Sequence, residues 1–312
     1  MRESVFVFPG QGAQQVGMGR DLVERYPAAA RAFDVASEAA GLDLRAACFE
    51  GPAETLSRTD VCQPAILTLS IAVLRALEQA AGRPLVPMAA AGLSLGEYSA
   101  LVAAGALDLA DAVRLVKRRG ELMQEACESS PGTMYSIIGL EDGRVEEACA
   151  RVREEGGRAW PANYNSPGQL VISGEKEAAA RAGELCKEMG ARRVIELKVA
   201  GAFHSPLMQP AADRLATELE RTPLGEPGFP VVANVTARPA AADEVRGLLA
   251  RQLTSPVLWA QSMAWCIQEA SGSFLELGPG KVLQGLLRRI DPAASCVSVC
   301  GADEVEGAAG GV

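Results

Sequence analysis

The chain has 312 residues, 30 basic against 39 acidic for a net charge of −9, with 48% apolar and only 4% aromatic side chains. An acidic protein lacks the basic surface that attracts phosphate, so binding of nucleic acid or of an anionic membrane is not expected, and any anionic partner must meet a local basic patch. The length suffices for one large core with a smaller module inserted in it.

Met1-Arg2-Glu3-Ser4 runs directly into a strand-like Val5-Phe6-Val7-Phe8, with no room for the apolar stretch of a secretory leader, so a cytoplasmic location is expected. A glycine turn follows, and strand-like and helix-like runs then alternate almost throughout, the signature of an α/β fold with a parallel sheet. Residues 63–81 read as a helix. Residues 89–110 carry few charges, but Glu97, Gly92 and Gly96 make them a poor membrane span and a better buried segment. Residues 108–127 read as one amphipathic helix, with Ala112, Val116, Met123 and Ala126 along a single stripe.

The pattern then changes to strand 133–139, helix 144–155, strands 159–163 and 169–173, helix 176–189 and strand 193–199. This β-α-β-β-α-β order is that of a ferredoxin-like subdomain, placed at 128–199 between the two parts of a discontinuous main domain, 1–127 and 200–300. The main domain resumes with strands 231–234, 274–277 and 295–299 and helices 211–220, 245–252 and 281–289. The tail, 301–312, is rich in Gly, Ala and acid and is expected to fray. Eight cysteines without a Cys-x-x-Cys pair, and a single histidine, predict reduced core thiols and no metal site.

Three features carry chemistry. Gly92-Leu93-Ser94-Leu95-Gly96 matches the G-x-S-x-G elbow, in which a sharp strand-to-helix turn pushes a serine hydroxyl into the open. The same turn sets the amide of Leu95 at a helix N-terminus, facing an anion as half of an oxyanion hole. A small-residue turn also serves packing. Serine needs a base, and His204, on a connecting loop, is the only imidazole available. No acidic residue presents itself as a third member, and main-chain carbonyls can hold the imidazole instead. Arg119 lies on the inward stripe of helix 108–127, with Met123 one turn on as a further substrate contact. A buried guanidinium needs an anion, either a structural Asp or Glu or a carboxylate on the substrate.

Taken with Phe8-Pro9-Gly10-Gln11-Gly12, Gln63-Pro64-Ala65, Glu97-Tyr98-Ser99, Arg119-Gly120, Asn163-Tyr164-Asn165-Ser166-Pro167-Gly168, Gly201-Ala202-Phe203-His204-Ser205 and Glu276-Leu277-Gly278-Pro279-Gly280, these residues make the chain resemble one family over nearly its whole length. It is that of the malonyl-CoA:acyl carrier protein transacylases and the acyltransferase domains of polyketide synthases. The resemblance implies a hydrolase-like core with an inserted ferredoxin-like subdomain. It implies a Ser94–His204 dyad, a second oxyanion amide from Gln11 beside that of Leu95, Arg119 on the malonyl carboxylate, and Gln63 and Asn163 lining the pocket. Phe203 fits the pattern of malonyl-selecting members, since a branch at the substrate's second carbon would meet its ring. Leu93 departs from the histidine common before the nucleophile, and Tyr135 and Ser136 stand where small residues are commoner.

The activity implied is transfer of malonyl from coenzyme A to an acyl carrier protein by a monomer, without a cofactor, malonyl-CoA being a substrate. Arg192, Arg193, Lys198, Lys281, Arg288 and Arg289 are candidates for docking an acidic carrier. A serine hydrolase with the same elbow, and a non-catalytic carrier-binding module, stand as the alternatives.

Overall fold

The computed structural model describes residues 3–310. Met1 and Arg2, read above as leading into the first strand, and Gly311 and Val312 of the tail lie outside the described residues.

Strand β1 (Ser4–Phe8) is buried along its length. Helices α1 (Arg20–Arg25), α2 (Pro27–Ala40), α3 (Leu44–Phe49) and α4 (Ala53–Leu56) follow, a region to which the sequence pattern assigned no element. Helix α5 (Thr59–Ala81) is long and apolar enough to cross a membrane, yet 89% of its most apolar window is buried inside the protein, where it serves as the central core helix. Strand β2 (Ala89–Gly92), α6 (Gly96–Ala103) and α7 (Leu109–Ser129) complete the first part of the main domain.

The chain then builds β3 (Gly132–Ile138), α8 (Asp142–Glu154), β4 (Ala159–Ser166), β5 (Gln169–Glu175), α9 (Lys176–Glu188) and β6 (Arg193–Glu196). It returns through a 3-10 turn at Pro206–Met208 into α10 (Gln209–Arg221), β7 (Val231–Ala233), β8 (Arg238–Pro239), α11 (Val245–Gln252), α12 (Trp259–Glu269), β9 (Ser273–Leu277), α13 (Val282–Ile290), β10 (Ser295–Val299) and α14 (Ala302–Ala309).

The main sheet has the order β10-β9-β1-β2-β7-β8, parallel except for the short β8. Helices cover both faces, so its strands read as continuous apolar runs rather than alternating ones. Phe6, Phe8 and Ala90 point into one apolar cluster, and Val5, Val7, Ala89 and Ala91 into the other. The second sheet, β4-β5-β3-β6, is antiparallel and carries α8 and α9 on a core of its own that includes Ile137, Ala148, Leu170, Ile172 and Leu185. The fold is thus the expected α/β core with a ferredoxin-like subdomain. The two sheets are joined by more than the linkers: Tyr164 of β4 donates to the carbonyl of Val257 at 2.9 Å, and the Val257 amide donates to Ala162 at 2.8 Å.

One expectation is corrected. Residues 302–309 of the tail do not fray but form α14, with Ala302, Val305 and Ala308 buried against the main core. Those three recur at every third position, with Asp303 and Glu304 in the first turn, and the Asp21 carboxylate accepts from the Ala302 amide at 2.6 Å. A short amphipathic repeat with a capping partner far away in sequence outweighs a disorder-like composition.

Candidate active site

Ser94 sits where β2 turns into α6, with φ of 51°, a left-handed conformation that strains a residue with a side chain by about 1–3 kcal/mol. The turn is closed by contacts only glycine permits. A Cβ on Gly92 would lie 1.9 Å from the Gly96 carbonyl carbon, and one on Gly96 would lie 2.1 Å from the Phe8 oxygen. Asn234, at the end of β7, clasps the elbow: its Oδ1 accepts from the Ser94 amide at 2.7 Å and its Nδ2 donates to Gly92 O at 2.7 Å.

His204, on the loop after β6, is buried and likewise left-handed at φ 58°. Its Nε2 is 2.9 Å from Ser94 Oγ, and its Nδ1 is 2.8 Å from the main-chain oxygen of Gln252. A carbonyl can only accept, so in the neutral ring Nδ1 carries the proton and Nε2 presents its lone pair to the serine. Burial, followed by the charge of Arg119, pushes the imidazole down from 6.5 to about 4, so it is neutral and able to accept a proton at neutral pH.

Arg119 is 1% exposed on α7. One terminal nitrogen, Nη1, donates to Gln63 Oε1 at 2.6 Å, while Nη2 donates to Gln252 Oε1 at 3.0 Å and to Ser94 Oγ at 3.1 Å. The ring of Tyr98 lies 5.5 Å from the guanidinium carbon. Among the described residues no carboxylate forms an ion pair with Arg119. The one carboxylate among them whose charge reaches the guanidinium, Glu97, acts across the Gln252 side chain rather than in a direct pair, and burial holds the guanidinium below its ordinary pKa.

A cavity of about 170 Å³ opens over Ser94 and His204, with Arg119 not in its lining but directly behind Ser94. Of the residues singled out in the sequence, Gln11, Ser94, Met123, Asn163, Phe203 and His204 line it. Gln63 does not: it is fully buried behind Arg119, gripping the guanidinium, with Nε2 3.4 Å from Met123 Sδ. Leu95, immediately before α6, is buried and likewise does not line the cavity. Among the described residues neither its amide nor the amide of Gln11 meets an acceptor. Met134, Asn165, Val171, Leu197 and Val199 of the subdomain and its exit loop complete the wall.

Sequence reasoning missed Gln252, Asn234, Glu97 and Tyr98 as members of this network. Glu97 and Tyr98 directly follow the elbow, in the quoted Glu97-Tyr98-Ser99, and were open to notice. Gln252 ends α11 and Asn234 follows β7, and nothing local in either stretch marks a residue whose importance comes from what it reaches across the fold.

The arrangement can activate a hydroxyl, and it holds a buried guanidinium within hydrogen-bond reach of that hydroxyl. The acyl transferase domain family matches residues 5–300. The malonyl CoA-acyl carrier protein transacylase of Escherichia coli K12 is 48% identical over 291 residues, 93% of each chain, and that of Bacillus subtilis 43% over 307 residues. An acyl carrier protein S-malonyltransferase from Vibrio cholerae superposes with a TM-score of 0.94 at 43% identity, covering 98% of this chain and 99% of that one. A malonyl-transacylase in complex with its type II polyketide acyl carrier protein gives 0.95 at 44%, covering 99% of this chain and 100% of that one. The chain belongs to the acyl transferase domain family and, within it, to the malonyl CoA-acyl carrier protein transacylases.

Proposed function

We propose that the protein moves malonyl from coenzyme A to the phosphopantetheine thiol of an acyl carrier protein by double displacement through a malonyl ester on Ser94. The observation that carries this reading is the position of Ser94 Oγ, 2.9 Å from a neutral imidazole nitrogen and 3.1 Å from a buried guanidinium. A carboxylate two carbons beyond an acyl carbon attacked by Oγ falls within reach of Arg119, whereas acetyl leaves that charge unpaired.

His204 Nε2 takes the Ser94 proton as Oγ attacks the thioester carbonyl, and the amides of Gln11 and Leu95 stabilise the oxyanion, each by about 3 kcal/mol in the transition state. The intermediate collapses with cleavage of the carbon–sulfur bond, and coenzyme A leaves with the proton held by His204. The carrier's thiol then gives its proton to His204 and attacks the ester, and Ser94 recovers its proton as the new thioester forms. Only the two thioester partners are needed, with no metal or further cofactor, and a cytoplasmic monomer suffices. Carrier docking falls to exposed Arg192, Arg193, Lys198, Lys281, Arg288 and Arg289. Arg192 and Arg289 flank one groove between the subdomain and α13, which favours an acidic partner there.

The test is to incubate the protein with malonyl-CoA, with and without holo carrier protein, and weigh the products. A malonyl adduct on the enzyme that passes to the carrier supports the reading. Rapid coenzyme A release without carrier would instead indicate a hydrolase, and absence of any adduct would leave a carrier-binding module.

A further inference from the structure

Glu97 is 4% exposed in the first turn of α6, three residues after Ser94, and the acyl-transfer steps make no use of it. Its carboxylate lies in no ion pair among the described residues, and burial pushes its carboxyl up from 4.5 to about 7. Packing alone would be served better by an apolar side chain of the same size. What Glu97 does instead is accept two hydrogen bonds on one oxygen. Oε2 takes the Gln252 Nε2 proton at 2.7 Å and the Asn234 amide proton at 3.1 Å.

Gln252 stands between the parts of the site. Its Nε2 also faces Ser94 O at 3.0 Å and Asn234 Oδ1 at 3.3 Å, so three acceptors surround it. Its Oε1 consequently turns to Arg119 Nη2 at 3.0 Å, and its main-chain oxygen holds His204 Nδ1 at 2.8 Å. Were the amide reversed, its NH2 would oppose the guanidinium, donor against donor. The shortest of the three bonds that prevent reversal is the one to Glu97.

We infer that Glu97 is a positioning residue, which through its hydrogen bond to the Gln252 side chain fixes Arg119 for the substrate carboxylate. It thereby sets the preference for a dicarboxylic over a monocarboxylic acyl group. The inference rests on the acyl-transfer reading above. It also assigns the hydrogen bond, rather than the negative charge, as the operative feature, since a neutral amide oxygen at the same place can accept both protons.

The experiment compares E97D, which keeps the charge but withdraws it from reach of Gln252, with E97Q, which keeps the acceptor without the charge. Malonyl-CoA and acetyl-CoA are the acyl donors, holo carrier protein is the acceptor, and thermal melts correct each rate for folded fraction. E97D is expected to raise KM for malonyl-CoA and to lower the malonyl-over-acetyl preference by on the order of tenfold or more, with E97Q recovering most of that loss. Gln252→Met, which leaves Glu97 in place, is expected to lose the preference as E97D does, and it decides the matter even where E97D does not fold. The inference is overturned if E97D retains the preference better than E97Q, if neither variant changes it, or if Gln252→Met keeps it. It also fails if the losses follow folded fraction with KM and preference untouched. A wild-type enzyme that forms no malonyl ester would sink the transfer reading instead, so the two failures are told apart.

Discussion

The two walls of the cavity are built on different principles. In the wall from the main domain Ser94 and His204 face the cavity beside Gln11, Leu93, Met123 and Phe203, and behind them lies a closed polar network in which Ser94, His204, Arg119, Gln252, Asn234 and Glu97 hold one another by hydrogen bonds of 2.7–3.3 Å. Ser94 and His204 both occupy left-handed backbone that ordinary residues avoid. The wall from the subdomain is Met134, Val171 and Leu197 with two asparagines on β4, one of which, Asn165, has a buried Oδ1 that meets no partner among the described residues. On the acyl-transfer reading proposed above, the first side is fixed in advance for charge that develops in the reaction, and the second gives the site its shape. Substitutions on the first should therefore remove chemistry, and those on the second should alter binding.

The largest effect belongs to Ser94→Ala. With no oxygen to acylate, the malonyl adduct should vanish from the mass spectrum and transfer should fall by on the order of 10⁴-fold or more. Adduct formation on this variant would break the contrast between the walls at its centre.

Arg119→Ala comes next. Removing the guanidinium should lower the malonyl-over-acetyl ratio of kcat/KM by about a hundredfold while acetyl transfer is spared or raised. An unchanged ratio would mean that selectivity is set elsewhere in the cavity, at Phe203 or by the subdomain.

His204 offers a smaller and more particular test. With its pKa lowered from 6.5 to about 4, the imidazole remains a base well into acid, so the acid limb of kcat/KM should lie clearly below the ordinary histidine range. The stability effect has a definite sign. Between 6.5 and about 4 the unfolded chain binds a proton that the folded protein refuses, so the stabilisation is complete above 6.5 and is lost as pH falls towards 4. His204→Asn should accordingly melt with a shallower acid dependence than the wild type, and equal slopes would show that the ring is not buried in its neutral form.

The same contrast explains what the sequence could and could not disclose. Ser94 and His204 were legible because the elbow has a fixed local grammar and the chain has one imidazole. Arg119 was legible because a charge on the inward stripe of an amphipathic helix violates the pattern around it. The β-α-β-β-α-β order was legible because short strand-like runs bounded by turn residues stand between two clearly helical segments. Gln252 and Asn234 were not, since their roles depend on reach across 158 and 140 residues of chain to Ser94. Gln63 was assigned to the cavity from its motif, yet the glycine beside Arg119 brings α7 so close to α5 that Gln63 is sealed behind the guanidinium. A Cβ on Gly120 would lie 2.5 Å from Thr59 O. Helix α14 was lost because composition was weighed ahead of the threefold spacing of its buried residues.

The smallest effect should come from the subdomain wall, where Asn163→Ala is the cleanest probe. The backbone of β4 at this point is held independently, by the pairing of Ala162 and Tyr164 with Val257, so removing the side chain leaves the strand in place. Among the described residues the Asn163 side chain makes no hydrogen bond, and it faces the cavity. What the substitution removes is a polar contact available to the acyl group or to the pantetheine arm shared by both thioester partners, with a net worth of about 0.5–1.5 kcal/mol. KM for malonyl-CoA should rise about threefold to tenfold, with kcat within about twofold of the wild type and the melting temperature unchanged. A fall in kcat of a hundredfold would place Asn163 among the groups that act in the transition state. The division between a chemical wall and a shaping wall would then have to be redrawn to include β4.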